Sequence, residues 1–146
     1  MKIHQLSLFL ENKPGQLTEP CRLLAQAGIN IRTLTLADTE EFGILRLIVS
    51  DWQKGARLLE ESGYVVNVTE VVAVEVPDRP GGLAELLAVF DKTEINIEYM
   101  YAFTFGRGDT AVLIFRFDKP DAAIERLQLA GNIVVGSTEV YERIRT

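Results

Sequence analysis

Two stretches of this chain are copies of one another. Residues 12–31 read NKPGQLTEPCRLLAQAGINI, and residues 78–97 read DRPGGLAELLAVFDKTEINI. At an offset of 66, Pro14, Gly15, Leu17, Glu19, Ile29, Asn30 and Ile31 return as Pro80, Gly81, Leu83, Glu85, Ile95, Asn96 and Ile97. Further on, VNVTEV at 66–71 is echoed by VGSTEV at 135–140, at a slightly larger offset that small insertions explain. A chain of 146 residues is ordinarily one domain on length alone. The repeat divides it into two units instead, residues 1–70 and 71–146.

Each unit reads as strand, helix, strand, strand, helix, strand. The first strand alternates Leu6, Leu8, Leu10 in one copy and Val72, Val74, Val76 in the other, the period-two pattern of a half-buried strand. The first helix of the second copy carries Leu83, Leu86, Leu87 and Phe90 at the spacing of one apolar helical face. Its counterpart is looser, with Leu17, Cys21 and Leu24, and Pro20 is tolerable only near the first turn. Strands two and three run from Ile31 to Val49 and from Ile97 to Phe117, turning near Asp38–Glu41 and at Gly106–Asp109. Second helices are expected at Trp52–Ser62 and Pro120–Ala130. The doubled pattern predicts an α+β fold of two ferredoxin-like βαββαβ units, antiparallel sheets with both helices on one face. A unit of this size is marginal alone, which favours the two packing together. No linker separates them between Tyr64 and Val76, so the last strand of one runs directly into the first strand of the next.

Composition narrows the function. With 47% hydrophobic and 25% charged residues the chain is an ordinary globular protein. No run of about 18 apolar residues occurs, so a membrane partner is not expected. The start goes straight into a strand pattern rather than a signal peptide. A single cysteine, Cys21, excludes an internal disulfide and a cysteine-rich metal site, and the combination predicts a cytoplasmic protein. Formal charge is −6 with no cluster of Lys and Arg, so nucleic acid is not expected as a partner.

Chemistry is concentrated in the segment after each first strand, Asn12-Lys13-Pro14-Gly15-Gln16-Leu17 and Asp78-Arg79-Pro80-Gly81-Gly82-Leu83. Each opens a helix, whose first amides lack internal partners and carry the positive end of the macrodipole. Glycine there leaves room for close approach of a ligand, and a carboxylate suits such a site. Asn12 and Asp78 stand where they could cap the helix or accept a hydrogen bond from an ammonium group. The competing reading is that Asn/Asp-x-Pro-Gly is simply a turn, preserved by the repeat for structural reasons.

The pattern Asn/Asp-x-Pro-Gly-x-Leu, a helix, then Ile-Asn-Ile resembles the ACT domain, a regulatory unit attached to many enzymes of amino-acid metabolism, in two copies that cover essentially the whole chain. The resemblance implies units paired edge to edge through strand two into an eight-stranded sheet, with an amino acid bound at the seam. By motif position, Asn12, Gly15, Gln16 and Leu17 form one half-site, completed by Asn96 and Ile97. Asp78, Gly81, Gly82 and Leu83 form the other, completed by Asn30 and Ile31. It implies no cofactor, a separate metabolic enzyme as partner, and a possible homodimer. Gly-Ile-Asn-Ile-Arg-Thr-Leu-Thr-Leu in the first unit also resembles the small regulatory subunits of acetolactate synthase. The copies differ at Asn12/Asp78, Gln16/Gly82 and Gly28/Glu94, so their affinities need not match.

Other residues read as structure. Ile97, Tyr99, Tyr101, Phe103 and Phe105 share one strand parity, which predicts a common aromatic face serving the sheet core rather than a ligand. His4 alternates with Leu6 and Leu8, and Cys21 lies on an apolar helix face. Neither has partners spaced for catalysis or metal binding, so no catalytic or metal site is expected. The rival readings are an inert assembly module and a small enzyme using His4 or Cys21.

Overall fold

The computed structural model describes residues 1–38, 41–103 and 108–136. Two compact units emerge: His4–Thr69, and Glu70 onward together with Met1–Ile3. Lys2 belongs to the second of these through Glu70 and Asp121, 3.2 and 3.0 Å from its Nζ.

The first unit contains β1 (Ile3–Glu11), α1 (Thr18–Gln26), β2 (Ile31–Asp38), β3 (Phe42–Val49) and α2 (Trp52–Glu61). β3 pairs antiparallel with β1, Leu6 opposite Leu47 and Leu10 opposite Gly43, and with β2, Leu34 opposite Leu47. Its order is therefore β2-β3-β1, with β2 on the edge. Leu6, Leu8 and Leu10 do share one buried face, as their alternation requires, meeting Leu45, Leu47 and Val49 of β3 and Leu24 and Leu59 of the helices. Each such leucine contributes about 1.5–3 kcal/mol of apolar transfer. α2 lies close on the sheet at Gly55, where a Cβ would already touch Leu6, Val49 and Leu24 at 3.4–3.5 Å. That helix starts at Asp51, whose carboxylate accepts from the Lys54 amide at 3.1 Å, and stops before Gly63 at φ +96°. Pro20 is the third residue of α1, where no intrahelical donor is lost.

The second unit repeats the plan with β4 (Val66–Pro77), α3 (Gly82–Leu87), a 3-10 turn at Ala88–Phe90, β5 (Ile97–Ala102), β6 (Thr110–Phe117), α4 (Pro120–Leu129) and β7 (Val134–Val135). β4 is continuous from the first unit's last expected strand into the second unit's first. β6 and β7 flank β4 and β5 lies outside β6, so strand two is again on the edge. Val72, Val74 and Val76 join Phe115, Phe117, Leu86, Phe90 and Leu127 in the core. The Phe90 and Phe117 rings lie 5.1 Å apart. Leu83 departs from the expected apolar face and is 40% exposed, because only the later positions, Leu86 and Phe90, reach the sheet.

The pairing register slips by one residue at Arg32 in β2 and at Glu98 in β5, positions related by the repeat. The slip separates Ile97 from the tyrosines expected to share its face and takes that face off the core of the unit. Ile97 pairs with Phe117 and packs with Met100 on the helix side, whereas Tyr99 and Tyr101 oppose Arg116 and Ile114 on the other face. An extra residue reverses every side chain beyond it. Phe105, and the turn residues Gly106 and Arg107, lie outside the described residues.

Candidate functional site

The segment after each first strand folds as a β-turn running into a helix. Gly82 N–H donates to the Arg79 carbonyl at 3.0 Å, Pro80 occupies the second position, and Gly81 at φ +86°, ψ −11° the third. These are the features of a type II turn. The first copy is built alike and more loosely: Gln16 N–H donates to Lys13 O at 3.4 Å, and Gly15 has φ +85°. A Cβ at Gly15 or Gly81 would meet nothing within 4 Å, so the backbone angle, not crowding, requires glycine. Gly82 is different. A Cβ there would run into the Pro77 carbonyl oxygen, so this loop is drawn tighter than the one holding Gln16.

Neither helix start has a side-chain cap. Asn12 and Asp78 therefore do not act as the caps considered from sequence. Their amides are held, Asn12 N–H by Glu41 O at 3.0 Å and Asp78 N–H by Asp109 O at 2.7 Å. Their side chains are exposed and make no hydrogen bond to any described residue. The amides of Gly15 and Leu17, and of Gly81 and Leu83, likewise find no acceptor among the described residues. Leu17 is 37% exposed. Each copy thus presents open amides beside an open polar side chain. The neighbouring cations are already engaged: Glu11, 2.9 Å from Lys13 Nζ, holds that ammonium above its ordinary pKa, and Arg79 forks onto Glu85 at 2.9 and 3.3 Å.

The second half of the motif is anchored by residues that sequence reading missed. Asn30 N–H donates to Ser50 Oγ at 3.0 Å and Ser50 N–H returns to Asn30 O at 2.9 Å. In the second unit Asn96 N–H donates to Asp118 Oδ1 at 2.8 Å, with Asp118 N–H to Asn96 O at 3.1 Å. Ser50 and Asp118 occupy matching places just ahead of the second helices, and that recurrence was the available signal. Ile31 and Ile97 pack against the cores of their own units, which leaves Asn30 and Asn96 as the exposed side chains of the motif.

Within a unit the two motif halves do not meet. The first loop follows Leu10 and Glu11, opposite Gly43 and Phe42, whereas Ile31 lies opposite Val49. Six residues along β3 separate those ends, roughly 20 Å. The same holds for Thr110, beside Pro77, and Phe117, beside Ile97.

No group of His, Cys, Asp or Glu among the described residues could hold a metal ion, and no helix there is long and apolar enough to cross a membrane. His4 stacks on Trp52 with ring centroids 4.3 Å apart. Burial pushes the Cys21 thiol above its ordinary pKa, which keeps it protonated and unreactive at neutral pH.

The sequence profile of the ACT domain pair matches residues 1–140. A crystal structure of protein BT0572 from Bacteroides thetaiotaomicron is 38% identical, covering 97% of this chain and 96% of that one, with a TM-score of 0.89. The ligand-free regulatory subunit of aspartate kinase from Thermus thermophilus superimposes with a TM-score of 0.63 at 18% identity, over 87% of this chain and 91% of its own, and shares the fold. Acetolactate synthase small subunit from Buchnera aphidicola is 30% identical over 79 residues, 51% of this chain and 49% of that protein, so the match spans about half the length of this curated relative.

Proposed function

The chain belongs to the ACT domain pair family, and from that premise we propose a regulatory module that binds a free amino acid and performs no chemistry itself. One observation carries the reading: in both units, open amides at an uncapped helix start adjoin a polar side chain, Asn12 or Asp78, that has no partner among the described residues. A ligand carboxylate takes the amides, and its ammonium group takes Asn12 or, with charge assistance, Asp78.

The distance between the motif halves argues for a paired unit. The loop lies at the sheet end where strand two finishes, and strand two is an edge within its own unit. Another ACT unit laid antiparallel along that edge brings the start of its own second strand to the loop. Asn96 and Ile97 then complete the half-site of Asn12, Gly15, Gln16 and Leu17, and Asn30 and Ile31 complete that of Asp78, Gly81, Gly82 and Leu83. Two units joined in this way make an eight-stranded sheet, and a second copy of the chain can supply the neighbour, giving a homodimer. Leu34 and Leu36, 40% and 50% exposed on β2, are the apolar surface such a neighbour would cover. The regulated activity belongs to a separate cytoplasmic enzyme of amino-acid metabolism, a reading supported by the partial similarity to an acetolactate synthase small subunit.

The type II turns favour a second reading, an assembly module in which Pro-Gly only redirects the chain. Thermal melts and calorimetric titrations of the whole chain against the twenty amino acids separate the two. A ligand at 100 times its Kd adds about 2.7 kcal/mol. That raises Tm by roughly 5–10 °C for a chain of this size. One or a few amino acids should do so, and Asn12→Ala or Asp78→Ala should weaken the effect. A flat response to all twenty leaves the assembly module.

A further inference from the structure

An open groove of about 400 Å³ lies within the second unit, away from the loops just described. Lys92, Thr93 and Ile95 line one side, from the turn after α3, and Ala122, Arg126 and Leu129 the other, from α4. Its volume falls in the range of small-molecule sites, about 300–1,000 Å³.

The first unit explains why the groove exists. The repeat places Ala27 and Lys54 where the second unit has Thr93 and Ala122. In the first unit these two are joined, Lys54 Nζ donating to the Ala27 carbonyl at 3.1 Å, so the lysine spans the gap. With alanine at 122 no side chain of α4 makes that bond among the described residues; Lys119, ahead of the helix, reaches the Glu94 carbonyl at 3.5 Å, and neither residue lines the groove. Two further exchanges change what faces the opening: Leu58, packed against the first core, becomes Arg126, and Gln26 becomes Lys92. In a chain of net charge −6, neither Lys92 nor Arg126 has an ion-pair partner among the described residues.

The turn that presents Lys92 is braced. Lys92 has φ +60°, an uncommon angle for lysine. Thr93 Oγ1 donates to the Phe90 carbonyl at 2.7 Å, and Ile95 N–H donates to Thr93 Oγ1 at 3.3 Å. The brace fixes the backbone from which the exposed Lys92 side chain extends.

We propose that this groove binds a small aliphatic dicarboxylate, its carboxylates on Lys92 and Arg126 and its methylenes against Ile95, Ala122 and Leu129. Glu125 also lines the groove, so its lining carries two cations against one carboxylate. Phosphate shares the charge but offers nothing to the apolar wall.

The test titrates the full chain with succinate, glutarate and inorganic phosphate at constant ionic strength, followed by chemical shifts and calorimetry. Saturable binding of a dicarboxylate, tighter than phosphate, is expected. Lys92→Asn, which keeps a residue tolerant of the positive φ, and Arg126→Gln should each weaken it about tenfold. Ala122→Lys, which restores the first unit's closure, should abolish it. All three sites are at the surface, so Tm should hold, and amino-acid titrations of the same samples read the loop sites separately. Absence of saturable dicarboxylate binding, phosphate binding as tightly, or affinity unchanged in all three variants overturns the proposal.

Discussion

Replacing Gly15 or Gly81 with alanine isolates what the Pro-Gly turn demands. Both glycines sit at φ near +85°, and an added Cβ meets nothing within 4 Å at either. Steric crowding therefore contributes nothing, and the cost is that of an L-residue in the left-handed region, about 1–2 kcal/mol. Alanine also lowers the entropy of the unfolded chain, which offsets about 0.4–1 kcal/mol of that. The net loss should be about 0.5–1.5 kcal/mol in urea denaturation, with m unchanged. That corresponds to a fall in Tm of roughly 2–5 °C. Asparagine, which tolerates positive φ, should cost less than alanine, and valine more. This order is the reverse of what a crowded site gives, where the larger asparagine does worse than alanine. Gly15→Ala as stable as the parent, or Gly15→Asn no better than Gly15→Ala, would refute the backbone argument. The asparagine variants also separate the two roles of the glycine: stability kept while amino-acid binding is lost identifies close approach of a ligand as a second requirement.

Gly82→Ala should destabilise by about 1–3 kcal/mol, since the Pro77 carbonyl cannot retreat without opening the turn; Gln16→Ala, at the matching position, should not. Asp51→Ala removes the cap of α2 and should cost about 1 kcal/mol, while Lys119→Ala, at an N-cap whose side chain makes no capping bond and only an exposed contact to the Glu94 carbonyl at 3.5 Å, should cost less by thermal melt. Because burial raises the Cys21 pKa, the neutral thiol stabilises the fold below the pKa of the unfolded thiol, and that contribution is lost as pH rises through the folded value. Stability should fall more steeply with alkaline pH in the parent than in Cys21→Ala, and identical slopes would contradict the assignment.

Leu6, Leu8 and Leu10, or Val72, Val74 and Val76, declare their buried face in one dimension, because side chains on a strand alternate whatever they pack against. The duplication, the turn chemistry of Pro-Gly and the apolar faces of the second helices are local in the same sense. Tyr99 and Tyr101 could not be assigned to a face from spacing, since the extra residue at Glu98 exists only in relation to the register of β6. Nor could spacing reveal that Asn12 and Ile31, nineteen residues apart, stand at opposite ends of one sheet. That follows from β3 running antiparallel between β1 and β2. Lys54 and Ala122 make the point most sharply. Each is an unremarked surface residue of a helix, and whether a crevice is spanned depends on reaching a carbonyl far away along the chain, as Lys54 reaches that of Ala27 and the short side chain of Ala122 does not. Periodicity and turn chemistry are written residue by residue, whereas register, sheet ends and crevices are relations between distant segments, settled only when the chain closes on itself.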